Sequence, residues 1–261
     1  MSVVLETKNV TMRFGGLKAV SNLDIVLHEN ELAGLIGPNG AGKTTVFNLL
    51  TGIYQPTEGD ILLSGTSLQR KKPYQINQSG VSRTFQNIRL FKEMSVLDNV
   101  LIAGAPRLEY SFFAPLLRTK KFESAEKNLN DKAMQLLEIF KLQDKAHKRS
   151  DSLSYGEQRR LEIVRCLATN PKILLLDEPA AGMNHSETHS LMETISKIRK
   201  EFNLSILLIE HDMKLVMGIC EKIFVLDHGT KIAEGKPEEI QKCPKVIAAY
   251  LGTTPDQEGL S

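Results

Sequence analysis

Along this chain the spacing of hydrophobic and polar positions changes several times, and each change predicts an element. Residues 3–5 and 10–14 are short apolar runs that read as β segments, and 23–27 alternates as a half-buried strand does. Residues 31–36 form a mostly apolar run that stops at Gly37. Glycines follow, and then residues 44–50 take up helical spacing. That order predicts a buried strand, a tight loop and a helix. Residues 61–63, bounded by Gly59 and Gly65, are a further strand candidate.

From about residue 95 the period becomes helical. Over 120–140 the apolar positions Phe122, Ala125, Leu129, Ala133, Leu136, Leu137 and Phe140 fall on one stripe. Before that stripe, residues 105–118 hold Pro106, Pro115, Tyr110, Phe112 and Phe113, which predicts an irregular insert. Strand-like and helical runs then alternate again: a strand over 172–176, a helix over 186–202, a strand over 204–209, and a hairpin over 223–233 turning at His228-Gly229. Pro237 opens a last helical segment to about residue 251, and residues 253–261 form a polar tail. The pattern is an α/β core interrupted by a helical lobe.

Composition narrows the class. The chain has 261 residues, 41% of them hydrophobic and 25% charged, enough for a folded core and unlike a disordered chain. With 33 Lys and Arg against 31 Asp and Glu, the net charge of +2 points to no nucleic-acid partner. Cys166, Cys220 and Cys243 lie far apart, as reduced cytosolic thiols rather than a disulfide or zinc framework. The N-terminus has no signal-peptide pattern, and the apolar runs 173–176 and 206–209 fall far short of the roughly 20 residues of a membrane span. If the protein serves transport, other chains supply the pore.

The candidate chemistry begins at Gly37-Pro38-Asn39-Gly40-Ala41-Gly42-Lys43-Thr44-Thr45, which fits GxxxxGK[ST] in full. Its glycines let successive N–H groups converge on a phosphate, and the helix start adds its positive dipole end. Lys43 reaches the β- and γ-phosphates of a bound nucleotide, and the Thr44 hydroxyl serves a Mg²⁺ ion. A second apolar strand ends at Asp177-Glu178-Pro179. Alone this pattern also fits a solvated turn. After a P-loop it predicts Asp177 beside the Mg²⁺ and Glu178 as the general base for an attacking water. His211 follows a third apolar strand, where it can touch the γ-phosphate at the crevice over the strand ends.

P-loops also occur in GTPases, kinases, helicases and motors. The discriminating stretch is Leu153-Ser154-Tyr155-Gly156-Glu157-Gln158. It resembles the LSGGQ signature of the ABC ATPase family, and Ser154 with Glu157 also forms a capping box at a helix start. The resemblance covers about residues 4–251. It implies a P-loop (RecA-like) core with an N-terminal antiparallel β subdomain and an inserted helical subdomain. The corresponding boundaries are 1–252 for one nucleotide-binding domain, with core about 1–90 and 159–252, lobe about 91–158, and the tail beyond.

By the same resemblance, ATP contacts Phe14 at its adenine and Asn39, Gly40, Ala41, Gly42, Lys43, Thr44 and Thr45 at its phosphates. Gln86 is implied at the Mg²⁺ or the attacking water. Ser154, Gly156 and Gln158 are implied to bind the ATP of a second ABC ATPase subunit in a head-to-tail dimer. Residues 180–184 match the D-loop, with Asn184 where an acid is commoner. Two integral membrane permease subunits, and indirectly a substrate-binding protein, complete the implied assembly at the cytoplasmic face of the plasma membrane. More narrowly, Arg13-Phe14-Gly15-Gly16-Leu17-Lys18-Ala19-Val20 and Ser82 to Phe91 resemble the ATPases of branched-chain amino-acid importers (LivG-type). An importer for urea or another small polar solute, and a soluble ABC ATPase, are the alternatives.

Overall fold

The computed structural model describes residues 2–107 and 120–251. Most of the expected insert at 105–118, and the tail at 253–261, lie outside the described residues. Within the described chain, Ala105–Arg107 forms a 3-10 turn.

The chain divides into two compact units. The first comprises residues 1–83, 172–178 and 195–261. It holds a four-stranded and a six-stranded sheet. The four-stranded sheet pairs β1 (Val3–Phe14) with β2 (Leu17–His28) and with β4 (Glu58–Leu63), all antiparallel, and β5 (Thr66–Ser67) completes it. The two apolar runs at 3–5 and 10–14 are therefore one strand. Asn9, in a left-handed conformation, and a shift of register between Thr7 and Val10 break the alternation there. A bulge of this kind makes a long strand read as two short ones.

The six-stranded sheet has the order β10-β9-β3-β8-β7-β6. Its strands are β3 (Leu32–Ile36), β6 (Val81–Arg83), β7 (Ile173–Asp177), β8 (Ser205–Ile209), β9 (Lys222–Asp227) and β10 (Thr230–Gly235). Every pairing is parallel except that of β10 with β9. All residues of β3, β7 and β8 are buried, as expected for parallel strands covered on both faces. The β9–β10 turn falls at His228-Gly229, both at positive φ, the backbone that matches a two-residue hairpin to strand twist. Helix α1 (Lys43–Leu50) follows the loop after β3, and α2 (Pro73–Ser79) precedes β6. Phe47, Leu35, Ile173, Leu207 and Phe224 sit in the core of this unit.

The second unit comprises residues 84–171 and 179–194. It contains α3 (Val96–Gly104), α4 (Lys120–Ile139) and α5 (Tyr155–Ala168). On α4 the expected stripe buries Ala133, Leu136 and Leu137, and Phe140 just beyond it is also buried. From α5 come Leu161, Val164 and Leu167. Helix α6 (His185–Glu201) runs from residues of this unit into residues of the first. The chain closes with α7 (Met213–Ile219), α8 (Pro237–Gln241) and α9 (Pro244–Leu251). Among the described residues no helix is long and apolar enough to cross a membrane.

Candidate nucleotide site and signature helix

Three neighbouring strands of the parallel sheet, β3, β8 and β7, end on the same side, and each delivers chemistry at its C-terminal end. After β3 the loop 37–42 turns into α1. Gly42 caps the helix at φ 102°, and a Cβ there would lie 2.7 Å from the Ala19 carbonyl oxygen. Only glycine meets both demands. The Lys43 ammonium donates to the Gly37 carbonyl at 2.7 Å and the Pro38 carbonyl at 3.0 Å. Burial lowers its pKa, and the carboxylates of Glu178 and Asp177 act the other way. A lysine held by loop carbonyls, with Thr44 exposed at the helix start, is the donor set that phosphate oxygens require.

β7 carries Asp177 at its end and Glu178 just after. Asp177 pairs with Ile209 of β8, and the Glu178 N–H donates to the Ile209 carbonyl at 2.9 Å. Glu178 sits at φ 50°, a strained backbone for a non-glycine residue of the kind that gathers at functional sites. Its carboxylate lies 2.6 Å from the His211 Nε2, so the ends of β7 and β8 join two of the expected residues directly. Phe14 is 42% exposed and makes an edge-to-face contact with Tyr54, with ring centroids 5.1 Å apart.

In the second unit Ser154 caps α5. Its hydroxyl accepts from the Glu157 N–H at 3.4 Å, and the Glu157 carboxylate accepts from the Ser154 N–H at 3.1 Å, the predicted capping box. Gln158 donates to the Leu153 carbonyl at 2.9 Å. Ser154 is exposed, whereas Gly156 is buried, and a Cβ on Gly156 would come 3.3 Å from Glu187 Oε1. Asn184 and Glu187 bond reciprocally at 2.9 and 3.0 Å. An asparagine in place of the commoner acid therefore still caps α6.

A family model described as ABC transporter matches residues 20–181, and one described as branched-chain amino acid ATP-binding cassette transporter matches residues 230–256. The chain belongs to the ABC transporter family. It is similar to the high-affinity branched-chain amino acid transport ATP-binding protein LivG of Escherichia coli K12, at 51% identity over 95% of this chain and 98% of that protein. Likeness to BraF of Pseudomonas aeruginosa, of the same description, is 50% over the same shares. Among solved structures, an ATP-binding cassette of an ABC transporter in its ADP conformation superposes with a TM-score of 0.83 at 31% identity, over 97% of this chain and 100% of that one. An ABC transporter subunit of this kind is an ATPase that binds nucleotide.

Two features of this ABC cassette escaped the reading of its sequence. One is Arg83 at the end of β6. Its guanidinium donates to Asp177 Oδ2 at 2.7 Å and to Asn48 Oδ1 at 2.7 Å, and lies over the Phe47 ring. Both partners of the ion pair are almost fully buried. β6 has only three residues, too few for periodicity to reveal. The other is the row of charges on α5, at Arg159, Glu162 and Arg165.

Proposed function

We propose that this chain is the ATP-hydrolysing subunit of an importer of branched-chain amino acids. The observation that carries the chemistry is the convergence at the ends of β3, β7 and β8 of Lys43, Asp177 and the Glu178–His211 pair. Lys43 can exchange its two loop carbonyls for phosphate oxygens. Glu178, held by His211, takes the proton of the attacking water. Phe14 stacks on the adenine. Thr44 and Asp177 would hold a Mg²⁺ ion, with Gln86 acting on the ion or on the water. Bound there, such an ion supplies charge stabilisation on the phosphate oxygens. Ser154, Gly156 and Gln158 bind the ATP of a second ATPase subunit. Closure of that head-to-tail dimer then drives two permease subunits at the cytoplasmic face of the membrane.

Branched-chain amino acids are favoured over urea by the names of the two relatives and by the match over residues 230–256. The test is uptake of labelled leucine and labelled urea, each at micromolar concentration, in a deletion strain. Lost leucine uptake with normal urea uptake is expected. The reverse result overturns the amino-acid reading.

A further inference from the structure

Arg159 is among the largest fully buried side chains of the protein, 2% exposed, and Glu162 beside it is 4% exposed. Burying two charges is unfavourable unless each is paired and its remaining hydrogen-bonding capacity filled. Here the two pair with each other, Arg159 Nη1 to Glu162 Oε2 at 3.2 Å. Most of their other bonds go to one short stretch of backbone, residues 85–89, while the Arg159 Nε is buried without a partner among the described residues. Arg159 donates from Nη1 to the Phe85 carbonyl at 2.6 Å and from Nη2 to the Gln86 carbonyl. Glu162 Oε1 accepts from the Phe85 N–H at 3.3 Å and the Arg89 N–H at 3.4 Å. One turn further along α5, Arg165 donates to the Arg89 carbonyl and lies over the Phe91 ring.

Positions 159, 162 and 165 recur every three residues and so share a helix face. The segment 84–91 has no strand or helix of its own to satisfy its backbone. The charged row of α5 bonds that backbone at Phe85, Gln86 and Arg89, and Asn99 and Ser150 bond it at Phe91, since buried N–H and C=O groups need partners. Arg159 also lies within 3.1 Å of the Tyr155 hydroxyl, which places it one turn from the Ser154 cap. The bonds to Phe85, Gln86 and Arg89 bracket Gln86 on both sides.

We propose that Arg159 and Glu162 are positioning residues for Gln86: they lock the backbone that carries it to the helix that begins at Ser154, so that Gln86 and the signature end of α5 move as one body. The proposal rests on the catalytic assignment of Gln86 given above. In this arrangement any shift of α5 carries the Gln86 backbone with it. Breaking the clamp leaves the P-loop untouched and frees Gln86 from its working position.

The experiment compares Arg159→Met, Arg159→Lys, Glu162→Gln and Gln86→Ala in the full-length chain, reading ATP Kd, kcat and the double variant Arg159→Met with Gln86→Ala. Arg159→Met is expected to lower kcat by about 10–10² fold, the loss that a small misplacement of a catalytic group brings. ATP Kd stays within about twofold, because Lys43 and its loop are intact. Lysine at 159 restores part of kcat. The deciding measurement is non-additivity: in the Gln86→Ala background, Arg159→Met lowers kcat no further, because residues acting as a unit do not add. A merely structural role would multiply the two losses and overturn the proposal. An unchanged kcat in Arg159→Met would overturn it too. If Arg159→Met does not fold, Glu162→Gln is combined with Gln86→Ala and read the same way, since its amide turns donors toward Arg159 while keeping an acceptor for the backbone. A parental kcat in Gln86→Ala overturns the catalytic assignment of Gln86 and the clamp with it. A reduced kcat there with a parental kcat in Arg159→Met overturns the clamp alone.

Discussion

At the scale of single residues, the site is organised by polar side chains that hold one another across the strand ends. Glu178 lies against His211, so replacing either disturbs the group proposed to activate the attacking water. Glu178→Gln is expected to keep ATP affinity and to lose turnover by about 10²–10⁴ fold, measured as steady-state phosphate release. Arg83 performs a different service. It pairs with Asp177 in a buried setting, and Arg83→Met would remove that ion pair from a buried carboxylate. The expected cost is about 3–5 kcal/mol, seen as a lowered chemical-denaturation midpoint, with Arg83→Lys intermediate because it cannot also reach Asn48 in the same fork. Cys220 is buried and burial pushes its thiol up to about 12. At pH 8 only about one thiol in 10⁴ would be ionised, so maleimide labelling of the native protein should be about 10³ times slower there than at an ordinary thiol, and unfolding should abolish the difference.

At the scale of elements, loop geometry and helix ends matter more than side-chain volume. The P-loop is tied on both flanks. The Gly229 N–H donates to the Ala41 carbonyl at 3.0 Å, and the Ser21 N–H donates to the Gly229 carbonyl at 2.8 Å. These bonds hold the β1–β2 and β9–β10 hairpins against the loop. Gly42→Ala brings a Cβ into the Ala19 carbonyl at a φ that disfavours side chains. That strain of about 1–3 kcal/mol should appear as ATP affinity weakened by about tenfold or more in titration calorimetry. The elements legible from the sequence were those with a local signal. The Ser154–Glu157 box and the α4 stripe involve residues within a few positions of one another. α2 and α7, each of seven residues, and β6, of three, had too little length for a period to show.

At the scale of the whole molecule, ATP should stabilise the fold that presents its site. A ligand at about 100 times its Kd adds about 2.7 kcal/mol. In a Glu178→Gln chain, which preserves the ligand, this should raise Tm by several degrees in a thermal-shift assay. Adding Lys43→Ala should remove most of that rise. The sequence alone determined the glycine loop before α1, the strand-end carboxylates, the capped helix at Ser154 and the α/β core, because glycine placement, capping and apolar runs act through near neighbours. Only the tertiary structure decided which polar groups meet. Arg83 finds Asp177 94 positions away, His211 finds Glu178 33 positions away, and Arg159 reaches the Gln86 carbonyl across 73 positions. The physical reason is that a polar side chain takes whichever partner the packing of strands and helices brings within about 3 Å, and no spacing along the chain encodes that distance.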